Sequence, residues 1–298
     1  MKVLLTGSSG QLGREIINCK PAGINLIKPN RIYLDLSKPK SCKNYIERIK
    51  PDWIINCGAY TNVEKAEGEK ELAYLINSLS VKNLAESVRK INSKFIQIST
   101  DYVFDGNRNS PYLPEDSKSP INVYGKTKSI GEDFIKKIFK NNDNGIIIRT
   151  SWLMGPRGQN FALKMLDLLS SKEKINVIND QIGSPTTTHS LAQACWETIN
   201  LNTEGKSLPS ILHFANEGEA SWFDIAIEIE KIAKELKLIK NPVIINPISS
   251  SNYPTKAKRP KYSVLDCKDS FQSISFKSSH WKSALKLLFL EYKRNLSK

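Results

Sequence analysis

Short apolar runs alternate with amphipathic stretches over the first half of the chain. The amphipathic stretches repeat their apolar positions every three or four residues, the spacing of a helix packed on a core. The pattern predicts strands at Lys2–Thr6, 24–27, 32–34, Trp53–Asn56, 94–99 and Gly145–Thr150, and helices at 11–18, 41–49, 71–90 and around 124–128. Such regular alternation indicates an α/β protein with a Rossmann-type, doubly wound parallel sheet.

The first strand runs directly into a glycine-rich turn. Gly7, Gly10 and Gly13 form a G-x-x-G-x-x-G pattern that opens the next helix. Glycines there let the backbone approach a pyrophosphate, and the free N–H groups of a helix N-terminus favour an anion. A plain glycine turn is the alternative, but the strand–turn–helix context favours a dinucleotide site.

The end of the second strand bears on the choice between NADH and NADPH. An acidic residue there would bind the ribose 2′-hydroxyl of NAD. This chain has Lys28, Pro29, Asn30 and Arg31 instead, with two cations and no acid. We therefore expect NADPH or NADH to bind, with a 2′-phosphate tolerated, and we expect Asp35 to face the adenine side.

A tyrosine and a lysine four residues apart supply candidate chemistry. On a helix Tyr124 and Lys128 would share one face, where the ammonium would lower the pKa of the phenol. Thr100 and Asp101 end the strand at 94–99, where α/β proteins place functional groups. The three groups Tyr124, Lys128 and Thr100 could deliver a proton to a carbonyl oxygen, although a Tyr-x-x-x-Lys match alone is weak and Thr100–Asp101 could be a simple strand-end turn.

The pattern loosens after about residue 150. Helices are predicted at 161–169, 190–200 and 221–237 and from Trp281, with one strand at 211–215. The 221–237 helix begins with Ser221 three residues before Asp224, as in a capping box. We predict a dinucleotide-binding domain over 1–152 and a smaller C-terminal α/β lobe over 153–298 that mainly binds substrate, with some segments returning to the first domain.

Composition excludes several classes of protein. No apolar run approaches the length of a membrane span. The five cysteines are scattered and odd in number, which favours reduced thiols in the cytoplasm. The three histidines, His189, His213 and His280, have no metal-binding spacing, so the sequence predicts no metal site.

The formal net charge of +14 is concentrated in the C-terminal part of the chain. Residues 231–298 carry 15 Lys or Arg against 4 Asp or Glu. The alternatives are a nucleic-acid-binding arm, a solvated lysine-rich surface, and a surface that attracts an anionic substrate such as a nucleotide diphosphate. Because aromatics are not interleaved with the cations, we favour the solvated surface and predict no nucleic-acid or membrane partner.

Several motifs together give the chain a family resemblance. They are Leu5-Thr6-Gly7, Ala59-Tyr60-Thr61-Asn62, Ser99-Thr100-Asp101-Tyr102-Val103-Phe104-Asp105-Gly106, Tyr124-Gly125-Lys126-Thr127-Lys128, Arg149-Thr150-Ser151-Trp152 and Asp180-Gln181-Ile182-Gly183-Ser184-Pro185-Thr186. In this order they resemble the extended short-chain dehydrogenase/reductases, most of all the branch of dTDP-4-dehydrorhamnose reductases.

The resemblance implies roles for residues across the chain. Tyr124 would be the proton donor, Lys128 its partner on the nicotinamide ribose, and Thr100 the third catalytic residue. Asp101 and Trp152 would contact the sugar nucleotide. Gly10, Gln11 and Leu12 would bind the pyrophosphate, Asp35 and Leu36 the adenine, and Ala59, Tyr60 and Thr61 the middle of the cofactor. The reaction implied is reduction of the C4 keto group of dTDP-4-dehydro-L-rhamnose by NAD(P)H.

The resemblance also leaves alternatives and one departure. A nucleotide-sugar 4-epimerase or 4,6-dehydratase shares the glycine and Tyr/Lys motifs, but a dehydratase needs Asp-Glu after the threonine, where this chain has Asp101 and Tyr102. A non-catalytic regulatory subunit, similar to the one that partners methionine adenosyltransferase, would not need the intact catalytic set. Some family members form homodimers bridged by magnesium on three glutamates. Here Glu15 and Glu291 fall near two of these positions and His189 near the third, so we expect no magnesium-bridged dimer.

Overall fold

The core of the protein is a six-stranded parallel sheet, as a computed structural model describing residues 1–140 and 142–296 shows. Its strands are β1 (Lys2–Thr6), β2 (Asn25–Ile27), β3 (Trp53–Asn56), β4 (Lys94–Thr100), β5 (Gly145–Thr150) and β10 (Ile211–Phe214). Their order is β10-β5-β4-β3-β1-β2, and every neighbouring pair is parallel. The predicted fold class is confirmed. The order reverses beside β1, which is where a crevice for a ligand opens in such sheets.

Helices cover both faces of this sheet. The long helices are α1 (Gln11–Asn18), α2 (Pro39–Ile49), α5 (Ser80–Lys90), α6 (Val123–Ile138), α7 (Phe161–Ser171), α8 (Thr188–Thr203), α9 (Trp222–Glu235) and α11 (Trp281–Leu296). The short ones are α3 (Val63–Ala66), α4 (Lys70–Tyr74) and α10 (Lys268–Ser273). Apolar residues of α1 and α8 form one core with the sheet, and those of α2, α5 and α6 form another on the opposite face.

The predicted third strand at 32–34 is wrong. Asn30 closes a turn there, because its carbonyl accepts from the N–H groups of Tyr33 and Leu34 and its side chain accepts from Ile32 N. Asparagine commonly holds the chain in such turns. Ile32 and Tyr33 are 89% and 62% exposed, so only Leu34 is buried. Two of the three apolar side chains in this segment therefore pack against no core.

A second layer of structure covers one end of the main sheet. Strands β7 (Lys174–Ile178) and β12 (Ile244–Ile248) pair in parallel, and α7, α9 and α11 share an apolar core with β7. Short pairs join β6 (Leu153–Met154) to β9 (Thr186–Thr187) and β8 (Ile182–Gly183) to β11 (Ala220–Ser221). The Ser221–Asp224 capping box is confirmed. Because α8 and β10 pack in the core of the main sheet, segments from beyond residue 152 do lie there. The domain boundary itself stays a prediction.

The long helix predicted at 71–90 contains one irregular turn. Residues Leu75–Leu79 form a π-helical turn between α4 and α5. Such turns occur often at functional sites, because they aim a side chain out of the regular helical row. No helix among the described residues has the length and apolar character to cross a membrane.

Candidate active site

A cavity of about 960 Å³ opens at the carboxyl ends of β1, β3, β4 and β5. This is the edge where parallel α/β sheets bind ligands. Most residues predicted for the site line it, namely Gly7, Gly10, Gln11, Leu12, Gly13, Arg31, Leu36, Ala59, Thr61, Thr100, Asp101, Tyr124, Lys128 and Trp152. Asp35 and Tyr60 do not.

The three glycines of the first turn have different structural roles. Gly7 has φ of +65°, and a Cβ on it would lie 2.6 Å from Gly58 N. A Cβ on Gly13 would lie 2.2 Å from Gly7 O, so these two glycines let the turn fold and α1 pack against it. A Cβ on Gly10 would meet only Gly7 O, at 3.2 Å. Gly10 caps α1 without a side chain and leaves the helix N-terminus open to the cavity.

Tyr124 stands in the first turn of α6, where local contacts fix it. Asn122 caps this helix by accepting from Gly125 N at 2.8 Å. A Cβ on Gly125 would lie 2.0 Å from Tyr102 O, so glycine lets the helix start press against the turn that follows β4. The ring of Tyr124 meets that of Tyr102 edge to face, with centroids 5.8 Å apart. These contacts bring the phenol to the end of β4.

Tyr124 is half-buried and Lys128 is buried, and desolvation shifts the pKa values of both side chains. Burial raises the pKa of Tyr124 to about 12, although its hydrogen bond with Thr100 opposes the shift. Burial lowers the pKa of Lys128 to about 8, and the charge of Glu132 opposes this. Lys128 Nζ donates to Ile98 O at 2.6 Å. The expectation that Lys128 lowers the pKa of this phenol is therefore wrong for the protein alone, because desolvation dominates.

Asp101 is a buried carboxyl in the cavity wall. It is 2% exposed, and burial raises its pKa to about 7. Hydrogen bonding with Ser263 and Thr100 opposes this shift. Thr100 Oγ1 donates to Oδ1 at 3.0 Å, while Oδ2 is buried and accepts no hydrogen bond of normal geometry. A buried acceptor without a partner costs free energy unless a ligand donates to it.

The far end of the cavity is lined by arginines. Arg31 lines it as predicted, and Arg14 on α1, which sequence reasoning missed, lies there as well. Lys28, the other cation of the predicted pair, is exposed and does not line the cavity. Asp35 instead accepts from the backbone N–H and hydroxyl of Ser37, both at 2.9 Å. It holds its own turn, and its contact with the adenine stays a prediction.

The side chain of Tyr60 also points elsewhere. Its hydroxyl donates to Glu69 at 2.7 Å. Its backbone is fixed by Asn77 in the π-helical turn, which accepts from Tyr60 N at 2.9 Å and donates to Tyr60 O at 3.0 Å. Asn77 also donates to Thr127 Oγ1 at 3.1 Å. Asn77 therefore ties the loop after β3 to the helix of Tyr124, a role that no local sequence signal reveals.

Trp152 is held in a strained conformation over the cavity. Its φ is +47°, a region that non-glycine residues rarely adopt. Its indole stacks on Trp222 with ring centroids 3.6 Å apart and planes 7° apart. A Cβ on Gly183 would lie 2.5 Å from this indole, so glycine there makes room for the ring. Strain supported by packing of this kind is typical of residues that contact ligands.

Known proteins share this architecture over their full length. A family model described as the RmlD substrate binding domain matches residues 1–294. The dTDP-4-dehydrorhamnose reductase of Aggregatibacter actinomycetemcomitans is 36% identical, over 96% of this chain and 97% of that protein. The spore coat polysaccharide biosynthesis protein SpsK of Bacillus subtilis is 35% identical, over 96% of this chain and 95% of that protein.

A solved structure extends the match to three dimensions. The crystal structure of the dTDP-4-dehydrorhamnose reductase of Bacillus anthracis in complex with NADP has a TM-score of 0.87 and 34% identity, over 97% of this chain and 99% of that one. The resemblance seen in the motifs is therefore confirmed, and the chain belongs to the dTDP-4-dehydrorhamnose reductase family, the family of the RmlD substrate binding domain.

Proposed function

We propose that this chain reduces the C4 keto group of dTDP-4-dehydro-L-rhamnose to give dTDP-L-rhamnose, with NADPH or NADH as reductant and Tyr124 as proton donor. One observation carries the proposal: Tyr124, Thr100 and Lys128 line the same cavity as the glycine-rich turn. The full-length relatives named dTDP-4-dehydrorhamnose reductase supply the sugar and its nucleotide.

The cavity fits a dinucleotide. A side chain on Gly10 would occupy the space in front of the α1 N-terminus, where the pyrophosphate would lie against Gln11 and Leu12. Arg14 and Arg31 would bind the 2′-phosphate of NADPH by charge, while Leu36, Ala59 and Thr61 would line the adenine and middle part. When bound, the reduced nicotinamide supplies the hydride.

The chain itself supplies the proton. Because its pKa is raised, the phenol of Tyr124 keeps its proton across the physiological pH range and can donate it to the oxygen at C4 as that oxygen gains charge. Thr100, in hydrogen-bond contact with Tyr124, would orient the same oxygen. Lys128, one helical turn further on, would stabilise the phenolate that remains.

Two features suit the nucleotide sugar. Asp101 Oδ2 offers a buried acceptor for a sugar hydroxyl, and the indole of Trp152 covers the same region. A second cavity of about 280 Å³ is lined by Lys258, Arg259 and Lys261. Arg259 pairs with Glu64 at 2.9 Å, whereas no ion pair of either lysine is present among the described residues. These cations suit a diphosphate, so part of the C-terminal basic excess would serve substrate binding.

The test uses two assays on the full chain, one for each direction of the reaction. Oxidation of NADPH with dTDP-4-dehydro-L-rhamnose, and reduction of NADP⁺ with dTDP-L-rhamnose, should both occur and both be lost in Tyr124→Phe. An epimerase would convert the sugar without net change in cofactor absorbance. A regulatory subunit would bind cofactor without turnover. Either result would overturn the proposal. A cytoplasmic location stays a prediction, in keeping with five cysteines that form no disulfide among themselves. A homodimer without a magnesium bridge also stays a prediction.

A further inference from the structure

A mixed cluster of donor groups lies where helix α1 packs on helix α8. Glu15 lies on α1, Cys19 caps the C-terminus of that helix four residues later, and His189 stands at the start of α8. His189 Nδ1 lies 3.0 Å from Glu15 Oε1 and 3.6 Å from Cys19 Sγ, and that sulfur lies 3.5 Å from the same oxygen. Three different ligand atoms therefore face one another on one side of the protein.

The triangle of donor atoms matches one face of a tetrahedral zinc site. Zinc lies about 2.3 Å from sulfur and about 2.0–2.1 Å from nitrogen or oxygen. At tetrahedral angles these lengths place the donor atoms about 3.3 to 3.6 Å apart. The three observed separations are within a few tenths of an ångström of these values. One ion can thus bind all three atoms with little movement of the helices.

The surroundings leave room for a fourth ligand. Glu15 is buried, whereas the side chain of His189 is 51% exposed, so the outer side of the cluster is open to water. Glu291 on α11 is close by: burial and the charge of Glu15 raise the pKa of its carboxyl. Water or this carboxylate could complete the tetrahedron.

The chemistry of the donors selects the metal. Magnesium requires oxygen ligands in octahedral geometry, and a thiolate and an imidazole do not suit it. A set of one sulfur, one nitrogen and one oxygen suits zinc. The magnesium site implied by the family resemblance therefore does not fit this chain. We propose that Glu15, Cys19 and His189 bind Zn²⁺ and join helix α1 to helix α8.

The rival explanation is a metal-free ion pair. The contacts of His189 with Cys19 and Glu15 raise the pKa of its imidazole to about 10, so the pair is charged when no metal is bound. Zinc binds imidazole and thiol ligands in their deprotonated forms, so its binding would release protons. A bound ion would also stabilise the folded chain, since the unfolded chain does not hold the three groups together.

The experiment uses the full chain, treated with chelator and then given Zn²⁺, Mg²⁺ or Co²⁺ alone. We expect one equivalent of Zn²⁺ to bind and raise the melting temperature, and Mg²⁺ to have no effect at the same concentration. Co²⁺ should give the intense visible bands of a tetrahedral site and a thiolate-to-metal absorption in the near ultraviolet. Zinc binding should also release protons into a weakly buffered solution.

Variants connect these signals to the cluster. Cys19→Ser should abolish the thiolate absorption, and His189→Gln should lower the zinc affinity at least about 10-fold, the loss expected of a ligand or of its orienting partner. Cys267→Ser and His280→Gln, outside the cluster, are matched controls. Absence of the cobalt bands in the unaltered chain would leave only the ion pair and overturn the proposal. Equal stabilisation by Mg²⁺ and Zn²⁺, or unchanged zinc binding in both cluster variants, would do the same.

Discussion

Glu132, on the helix that carries Tyr124, forms a two-point ion pair with Arg149 on β5, and neither side chain is exposed. Arg149 donates from Nε at 3.0 Å and from Nη2 at 2.8 Å to the two carboxylate oxygens. Ser99 donates to the same carboxylate at 2.6 Å, and Arg149 Nη1 donates to Pro114 O at 2.9 Å. Glu132 lies on α6, one helical turn beyond Lys128, and Arg149 lies on β5. Together with the bond to Pro114 O, the pair therefore joins α6, β5 and the loop before α6.

Glu132→Gln should destabilise the fold because it leaves the buried guanidinium without a counter-charge. We expect the free energy of unfolding to fall by about 3–5 kcal/mol, measured by chemical denaturation. The control is Glu86→Gln, which removes an exposed pair with Lys82 and should cost less than about 0.5 kcal/mol. Equal effects of the two changes would contradict this account.

The same ion pair should weaken in acid. Burial alone would raise the pKa of Glu132, but hydrogen bonds and charge from Arg149 lower it below the ordinary value of 4.5. The stabilisation is therefore present above that value and is lost as the pH falls through the lower pKa of the folded state. The stability difference between the unaltered chain and Glu132→Gln should narrow over that range.

Tyr124→Phe should remove the proton donor and keep the cavity. We expect turnover to fall by about 10²–10⁴-fold, the usual contribution of a general acid. Cofactor affinity, measured by titration of NADPH fluorescence, should stay nearly constant because the ring remains packed against Tyr102. Turnover near that of the unaltered chain would remove Tyr124 from the mechanism.

Sequence patterns predicted what adjacent residues determine by themselves. The glycines of the turn after β1 are close to one another along the chain, and so are Tyr124 and Lys128 on their helix. The geometry of each feature therefore follows from local spacing. The strands of the main sheet were recognisable because strands buried on both faces read as continuous apolar runs. β2, β3 and β5 were placed within one residue of their observed bounds.

Features that depend on contacts between distant segments were missed. Strand β7 alternates exposed and buried residues, and its partner β12 is seventy residues further along, so neither gave a clear local signal. Asn77 reveals its role only through Tyr60 and Thr127. The family resemblance brought Glu15 and His189 to one site, whereas the contact of Cys19 with His189 was missed because it exists only where α8 packs on α1.

Gly10→Val should block the cofactor without unfolding the protein. The new Cβ meets only Gly7 O, at 3.2 Å, but the valine side chain would extend into the space before the α1 N-terminus. We expect the Kd for NADPH to rise at least about 100-fold, since close approach of the backbone to the pyrophosphate is lost. Gly68→Ala, whose Cβ has its nearest neighbour at 3.8 Å, is the control. A normal Kd in a folded Gly10→Val variant would refute the pyrophosphate site.

Arg31→Ala should weaken NADPH binding much more than NADH binding. A hydrogen bond between charged groups contributes about 1.5–3 kcal/mol, which corresponds to roughly a 10–100-fold rise in Kd for NADPH alone. Lys28→Ala removes the neighbouring cation that does not line the cavity, and should change neither affinity. Parallel losses for both cofactors in Arg31→Ala would show that this side chain does not bind the 2′-phosphate.

Asp101→Asn should stabilise the protein at alkaline pH while lowering its activity. Burial raises the pKa of this carboxyl from 3.8 to about 7, so the folded state holds a proton that the unfolded state releases. Ionisation therefore reduces the free energy of unfolding progressively as the pH rises from about 4 to about 7. Asparagine avoids that cost, and its gain at about pH 8 should be on the order of 4 kcal/mol, vanishing near pH 4. The exposed Asp167→Asn is the control, with no pH-dependent gain expected. A stability difference between the unaltered chain and Asp101→Asn that does not change with pH would contradict the raised pKa.

Asp101→Asn also tests why the buried carboxyl is present. If this change raises the melting temperature and lowers kcat/KM, the carboxylate serves substrate binding or turnover at a cost in stability.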